Sequence, residues 1–175
     1  MLTDVQRKWI DHLPDDDTTV ILPYDPISNE KFEAVKKRIQ DKLGKDIVVL
    51  HHGAASFGIS GQDEIDVYVP VPEEKFEEMI LRLATVFGKP KSVYPYRVRY
   101  YVREGGKKAD VYLVNESAKD WKDSLIFKKH LETHPVDLER YRILKEESNG
   151  LSSREYYRRK IEFINEIVEK ANGND

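Results

Sequence analysis

A chain of 175 residues is long enough for one domain with a sizeable core and short for two. Its 39% apolar and 35% charged content is that of a globular protein with a heavily charged surface, and a formal net charge of -3 gives no general pull toward nucleic acid or an anionic membrane. The absence of cysteine excludes a disulfide framework and a cysteine zinc site, and the N-terminus lacks the apolar core of a signal peptide, so a soluble protein of the cytoplasm with no membrane partner is expected.

In chain order, residues 3–13 read as a short helix capped by Thr3, with Val5, Trp9 and Leu13 on one face. Asp15, Asp16 and Asp17 read as a solvated turn, not a metal site, ahead of a strand at 18–22. A helix over 28–43 turns Phe32, Val35, Ile39 and Leu43 inward and stops at Gly44. Two apolar runs, 47–50 and 65–69, read as strands around a small-residue loop that starts at Gly53 and permits close approach to a ligand. Pro72 opens a helix carrying Phe76, Met79, Ile80, Leu83 and Phe87, closed by Gly88 and Pro90.

Residues 93–103 alternate as a strand, and Glu104, Gly105, Gly106 and Lys107 form a hairpin turn into a strand at 108–114. Helices follow at 117–132, 136–147 and 152–171, the last with a capping box of Ser152 and Glu155. The expectation is an α/β (α+β) fold in a single domain over 1–175, with a core at 1–116 and a helical pack at 117–175.

In an extended strand Glu64 and Asp66 share a face. Two carboxylates side by side repel, and a divalent cation relieves that repulsion. Acidic residues alternating with apolar ones usually mark only the solvent face of an amphipathic strand. Here a glycine-led loop precedes the pair and a third acid, Asp110, lies on a later strand.

Arg97, Arg99 and Arg103 share a strand face and read as an exposed sheet face, with a polyanion rest as the other reading. His51 and His52 cannot both aim at one ion from adjacent strand positions. Tyr94, Tyr96, Tyr100 and Tyr101 could stack a base but read better as core or half-exposed sheet. No glycine-rich GxxxxGK[ST] loop is present, which removes kinases and NTPases of that type.

Taken together, the small-residue loop, the acidic pair on one strand and the later acid resemble the nucleotidyltransferase fold superfamily. Within it the chain resembles the GrpB family over nearly its whole length. The resemblance is carried by Val20 to Pro26 with Phe32, by His52 to Ser56, by Trp121, residues 125–128, Leu131 and His134-Pro135, and by Tyr141, Leu144-Lys145, Tyr156, Lys160 and Phe163. Two departures stand out. Ala54 occupies the place of a serine that touches the nucleotide phosphates, and the acidic triad is more complete than in typical GrpB members.

The resemblance implies a nucleotidyltransferase-like mixed sheet with flanking helices. It also implies metal-dependent transfer of a nucleoside monophosphate from an NTP to a hydroxyl acceptor. Glu64, Asp66 and Asp110 would be the catalytic and Mg²⁺ or Mn²⁺ ligands, with Gly53 and Ser56 at the phosphates. The stretch between Lys45 and Lys75 holds no lysine or arginine, so a phosphate cation is expected elsewhere, on Lys128, Lys145 and Lys160 of the matched helices. A nucleotide-binding or interaction module without turnover is the alternative. Non-specific nucleic-acid binding is not expected.

Overall fold

A computed structural model of the protein describes residues 1–173. In chain order the elements are α1 (Asp4–Asp11), α2 (Ile27–Leu43), β1 (Leu50–His52), α3 (Gly53–Ser56), β2 (Glu64–Val71), α4 (Glu73–Phe87), β3 (Ser92–Tyr94), β4 (Arg97–Glu104), β5 (Lys107–Asn115), α5 (Lys119–Thr133), α6 (Pro135–Glu147) and α7 (Ser153–Asn172). They fall into two compact units, one of residues 24–59 and 63–122, the other of 1–23, 60–62 and 123 onward.

The first unit holds a five-stranded mixed sheet in the order β1-β2-β5-β4-β3, antiparallel except for the central β2–β5 pair. The β4–β5 hairpin closes on Gly105 and Gly106, both at positive φ (54° and 86°), the conformation a two-residue turn demands. β5 returns beside β2 in parallel because α4, β3 and β4 intervene and form the crossover. Strand alternation then divides the residues. Ile65, Val67 and Val69 of β2, Ala109, Val111 and Leu113 of β5, and Val98 and Tyr100 of β4 form one core with Phe32, Val35 and Ile39 of α2 and Phe76, Met79 and Leu83 of α4.

Tyr100 is fully buried there. Its hydroxyl donates to the Ile80 carbonyl at 2.7 Å, and burial pushes its pKa up to about 12. The residues between these core positions, among them Glu64, Asp66, Lys108, Asp110, Arg97 and Arg99, line the other face.

In the second unit Thr3 caps α1 as expected, accepting from the Gln6 amide within a capping box, and at α7 Ser152 accepts from the Glu155 amide, the bond its expected capping box begins with. In its core Tyr141 and Phe163 stack, and Phe127 meets both edge-on. Asp137 is buried and accepts from His130 Nε2 (2.8 Å), Lys170 (2.7 Å) and Arg140 (2.9 Å). His134 immediately precedes α6, whose first residue is Pro135, and its ring Nδ1 bonds to the His130 carbonyl of α5 at 2.9 Å, so it shapes the α5–α6 junction.

Several boundaries differ from expectation. No strand forms at 18–22. Instead Thr19 exchanges backbone hydrogen bonds with Gly150 and Leu151, Ile21 donates to the Asn149 side chain, and only Leu22 bridges to Gly61. The segment is thus satisfied by the α6–α7 connection, which overrides its strand propensity. The expected strand at 47–50 is displaced to Leu50–His52, the loop after it folds into the one-turn α3, and residues 93–103 divide into β3 and β4 around a turn at Pro95 and Tyr96.

Candidate metal centre

Asp66 and Asp110 are direct neighbours across the parallel β2–β5 pair, and Glu64 lies two residues before Asp66 on the same face. One carboxylate oxygen from each of Glu64, Asp66 and Asp110 lies within 4.8 Å of the others. Asp110 is buried and the other two are partly so.

Three carboxylates this close need cations, and the sheet supplies two. Arg99 of β4 grips Asp110 in a fork, Nε donating to Oδ1 at 2.9 Å and Nη2 to Oδ2 at 2.8 Å. Lys108 of β5 donates to Glu64 and lies 3.3 Å from Asp110 Oδ2. Burial is the largest single influence and opposes the charge of both cations, but the hydrogen bonds to Asp110 and Glu64 together with the Coulombic attraction of the surrounding groups outweigh it and raise their pKa values. The carboxylates therefore draw their cations from neighbouring strands. This corrects the expectation, drawn from the lysine- and arginine-free stretch 46–74, that the region lacks cations of its own.

The other arginines of that face do different work. Arg97 lies over the Tyr94 and Tyr112 rings at 5.6 and 5.8 Å, and Arg103 donates to the Gly106 carbonyl.

Gly53 has φ +71°, and a Cβ added to it would lie 1.9 Å from Asp66 Oδ2. The glycine that opens the loop thus lets the backbone meet a carboxylate of the cluster. Ser56, the other expected phosphate contact, donates its hydroxyl to the Gly53 carbonyl at 2.8 Å. The histidine pair separates as strand geometry requires. His51 stacks on Phe32 of α2, while His52 packs against Tyr68 and Trp121 on the carboxylate side. Tyr68 stacks in turn on Tyr112, whose hydroxyl is pushed well above its ordinary pKa, first by burial and then by the nearby Asp66 charge.

A second ionic knot lies at the start of β5. Lys107 is buried and donates to Asp25 Oδ2 (2.9 Å) and to Asp63, which adopts φ +56° just before β2. Lys107, Lys108 and the Arg99–Asp110 fork were not anticipated as parts of a site. The hairpin register held the signal, since it sets Arg99 one strand away and diagonal to Asp110.

The expected phosphate cations belong to the second unit. Lys128 pairs with Glu132 at 3.0 Å. Lys145 is buried, donates to the Tyr156 hydroxyl at 3.0 Å and lies over the Tyr141 ring. Lys160 lies over the Tyr156 and Tyr157 rings.

Fold and site together define an α+β protein with a mixed five-stranded sheet whose polar face carries a cluster of three carboxylates. No curated protein matches the sequence. The chain belongs to the GrpB family: the family model described as GrpB protein matches residues 18–170. In fold it is similar to the crystal structure of conserved protein GrpB from Enterococcus faecalis, with a TM-score of 0.64 and 19% identity over 87% of this chain and 96% of that one. Among the described residues no helix is long and apolar enough to cross a membrane.

Proposed function

We propose that this protein is a metal-dependent nucleotidyltransferase of the cytoplasm, moving a nucleoside monophosphate from an NTP to a hydroxyl acceptor. The observation that carries this reading is the meeting of Glu64, Asp66 and Asp110 within 4.8 Å on adjacent parallel strands. The donor set fits the group: three carboxylates are the hard oxygen ligands that Mg²⁺ and Mn²⁺ prefer. A bound cation would supply charge neutralisation of the triphosphate and polarisation at its α-phosphorus.

The chain's own residues would hold and orient. Glu64 and Asp66 bind from one strand, and Asp110, fixed by the Arg99 fork, keeps further lone pairs for a second contact. In the reaction the acceptor oxygen bonds to the α-phosphorus, the α–β phosphoanhydride bond breaks, and pyrophosphate leaves. The hydroxyl proton passes to Asp110. The resemblance assigns phosphate contacts to Gly53 and Ser56.

Nucleotide binding without turnover is the second reading. Ala54 beside Gly53, and a Ser56 hydroxyl donated to the loop's own carbonyl, favour it. The test is calorimetric binding of each of the four NTPs in Mg²⁺ or Mn²⁺ and pyrophosphate release from them with a metabolite and RNA extract as acceptor, for the parent and Asp66→Asn. Release by the parent alone supports the transferase. Binding without release supports the second reading, and failure to bind any NTP refutes both.

A further inference from the structure

The two cations at the carboxylates are held differently. Arg99 makes two bonds to one carboxylate with a rigid planar fork, whereas Lys108 is a single point charge on a flexible stem, with about a third of its side chain exposed. Lys108 is bonded to Glu64 and 3.3 Å from Asp110 Oδ2, so its ammonium engages two of the three groups that would have to bind an incoming ion. A divalent ion entering beside both cations would repel them, and the lysine is the one free to swing away.

We propose that Lys108 is an exchangeable counter-ion. It neutralises Glu64 and Asp110 when no divalent ion is bound, and on displacement it binds the phosphates of the nucleotide. This rests on the nucleotidyltransferase reading and names a phosphate ligand that the loop and helix motifs do not. Arg103, directly opposite Lys108 across the β4–β5 ladder, is exposed and adds positive charge on the same side of the sheet. The exchange couples the two ligands. Cation binding releases the ammonium, and the triphosphate captures it, so each tightens the other.

The experiment uses the full chain and Lys108→Met, which keeps the apolar stem and removes the charge. Lys108→Gln serves as a second variant with a polar head, and melting curves confirm folding. Mn²⁺ affinity is measured calorimetrically without phosphate, and inorganic tripolyphosphate affinity at saturating Mn²⁺. The expected result is Mn²⁺ binding about tenfold tighter in the variants and tripolyphosphate binding at least tenfold weaker. Mn²⁺ affinity unchanged or weakened in both variants overturns the exchange, as does tighter Mn²⁺ binding with unaltered tripolyphosphate affinity. Equal Mn²⁺ binding by the parent and Asp66→Asn overturns the metal site itself and Lys108's role with it, whereas failure of the Lys108 variants alone leaves the transferase reading standing.

Discussion

Replacing Gly53 by alanine tests whether the loop and the carboxylate cluster are mechanically one object. The added Cβ has two costs. The first is backbone: at φ +71° a residue with a Cβ costs about 1 kcal/mol relative to glycine. The second is contact, because the Cβ would stand 1.9 Å from Asp66 Oδ2 and 2.9 Å from its Cγ. Relief requires a displacement of about an ångström, most cheaply by rotating Asp66 off its rotamer for a further ~1 kcal/mol. The sum, about 2 kcal/mol, corresponds to a melting temperature lowered by roughly 4–8 °C in a chain of this size.

Gly58→Ala is the internal control. Its φ is +68°, but its nearest neighbour is Tyr24 Cε1 at an ordinary 3.8 Å, so it carries the backbone cost alone. A double-mutant cycle isolates the contact. In an Asp66→Ala background the carboxylate is gone, so Gly53→Ala should there cost no more than Gly58→Ala does. The assay is thermal melting of the four variants and the parent. Equal losses at Gly53 and Gly58 in the parent background, or no coupling between Gly53→Ala and Asp66→Ala, would refute the close approach.

Asp66→Asn keeps the shape of the side chain and removes its charge, so Mn²⁺ binding followed by calorimetry should be lost; equal affinity in parent and variant refutes Asp66 as a ligand. Tyr100→Phe removes the buried hydroxyl that bonds to the Ile80 carbonyl and should cost about 1 kcal/mol, read as a midpoint shift in urea unfolding. Hydrogen bonds from His130, then Lys170 and Arg140, hold the Asp137 carboxyl below the usual carboxylate range. A lowered folded pKa contributes stability that is fully present above the unfolded value, about 4, and is lost as pH falls through the folded one. The stability gap between the parent and Asp137→Asn at pH 6 should therefore narrow below about pH 4, and a gap constant down to pH 2 would sink this account.

Where side-chain periodicity is long and regular, the fold is readable from the sequence. Alternation over Glu64–Val71 separates buried from half-buried positions without exception, and the apolar stripes of α2 and α4 identify the faces they bury. Thr18 to Leu22 misleads because β-branched residues fit any extended segment. What satisfies their backbone lies some 128 residues away, at Asn149 to Leu151, and no local pattern encodes it. One-turn α3 is hidden for the opposite reason: four small residues carry no periodicity.

The site shows which parts of a sheet a linear reading can reach. A scan along the chain for positive charge finds none near Glu64 and Asp66, yet in a sheet the nearest neighbours of a residue are on other strands, about 4.8 Å away. For the hairpin those neighbours are computable. A two-residue Gly105-Gly106 turn sets Glu104 opposite Lys107, hence Arg103 opposite Lys108, Tyr101 opposite Asp110 and Arg99 opposite Tyr112. That leaves Arg99 diagonal to Asp110, within the reach of a long side chain. The pairing of Asp66 with Asp110 obeys no such local rule. Parallel strands joined through α4, β3 and β4 take their register from packing the crossover onto the sheet. A slip of one residue would turn Asp110 into the core and Ala109 to the polar face. The apolar contacts of Ala109, Val111 and Leu113 with α2 and α4 thus hold the third carboxylate in the cluster.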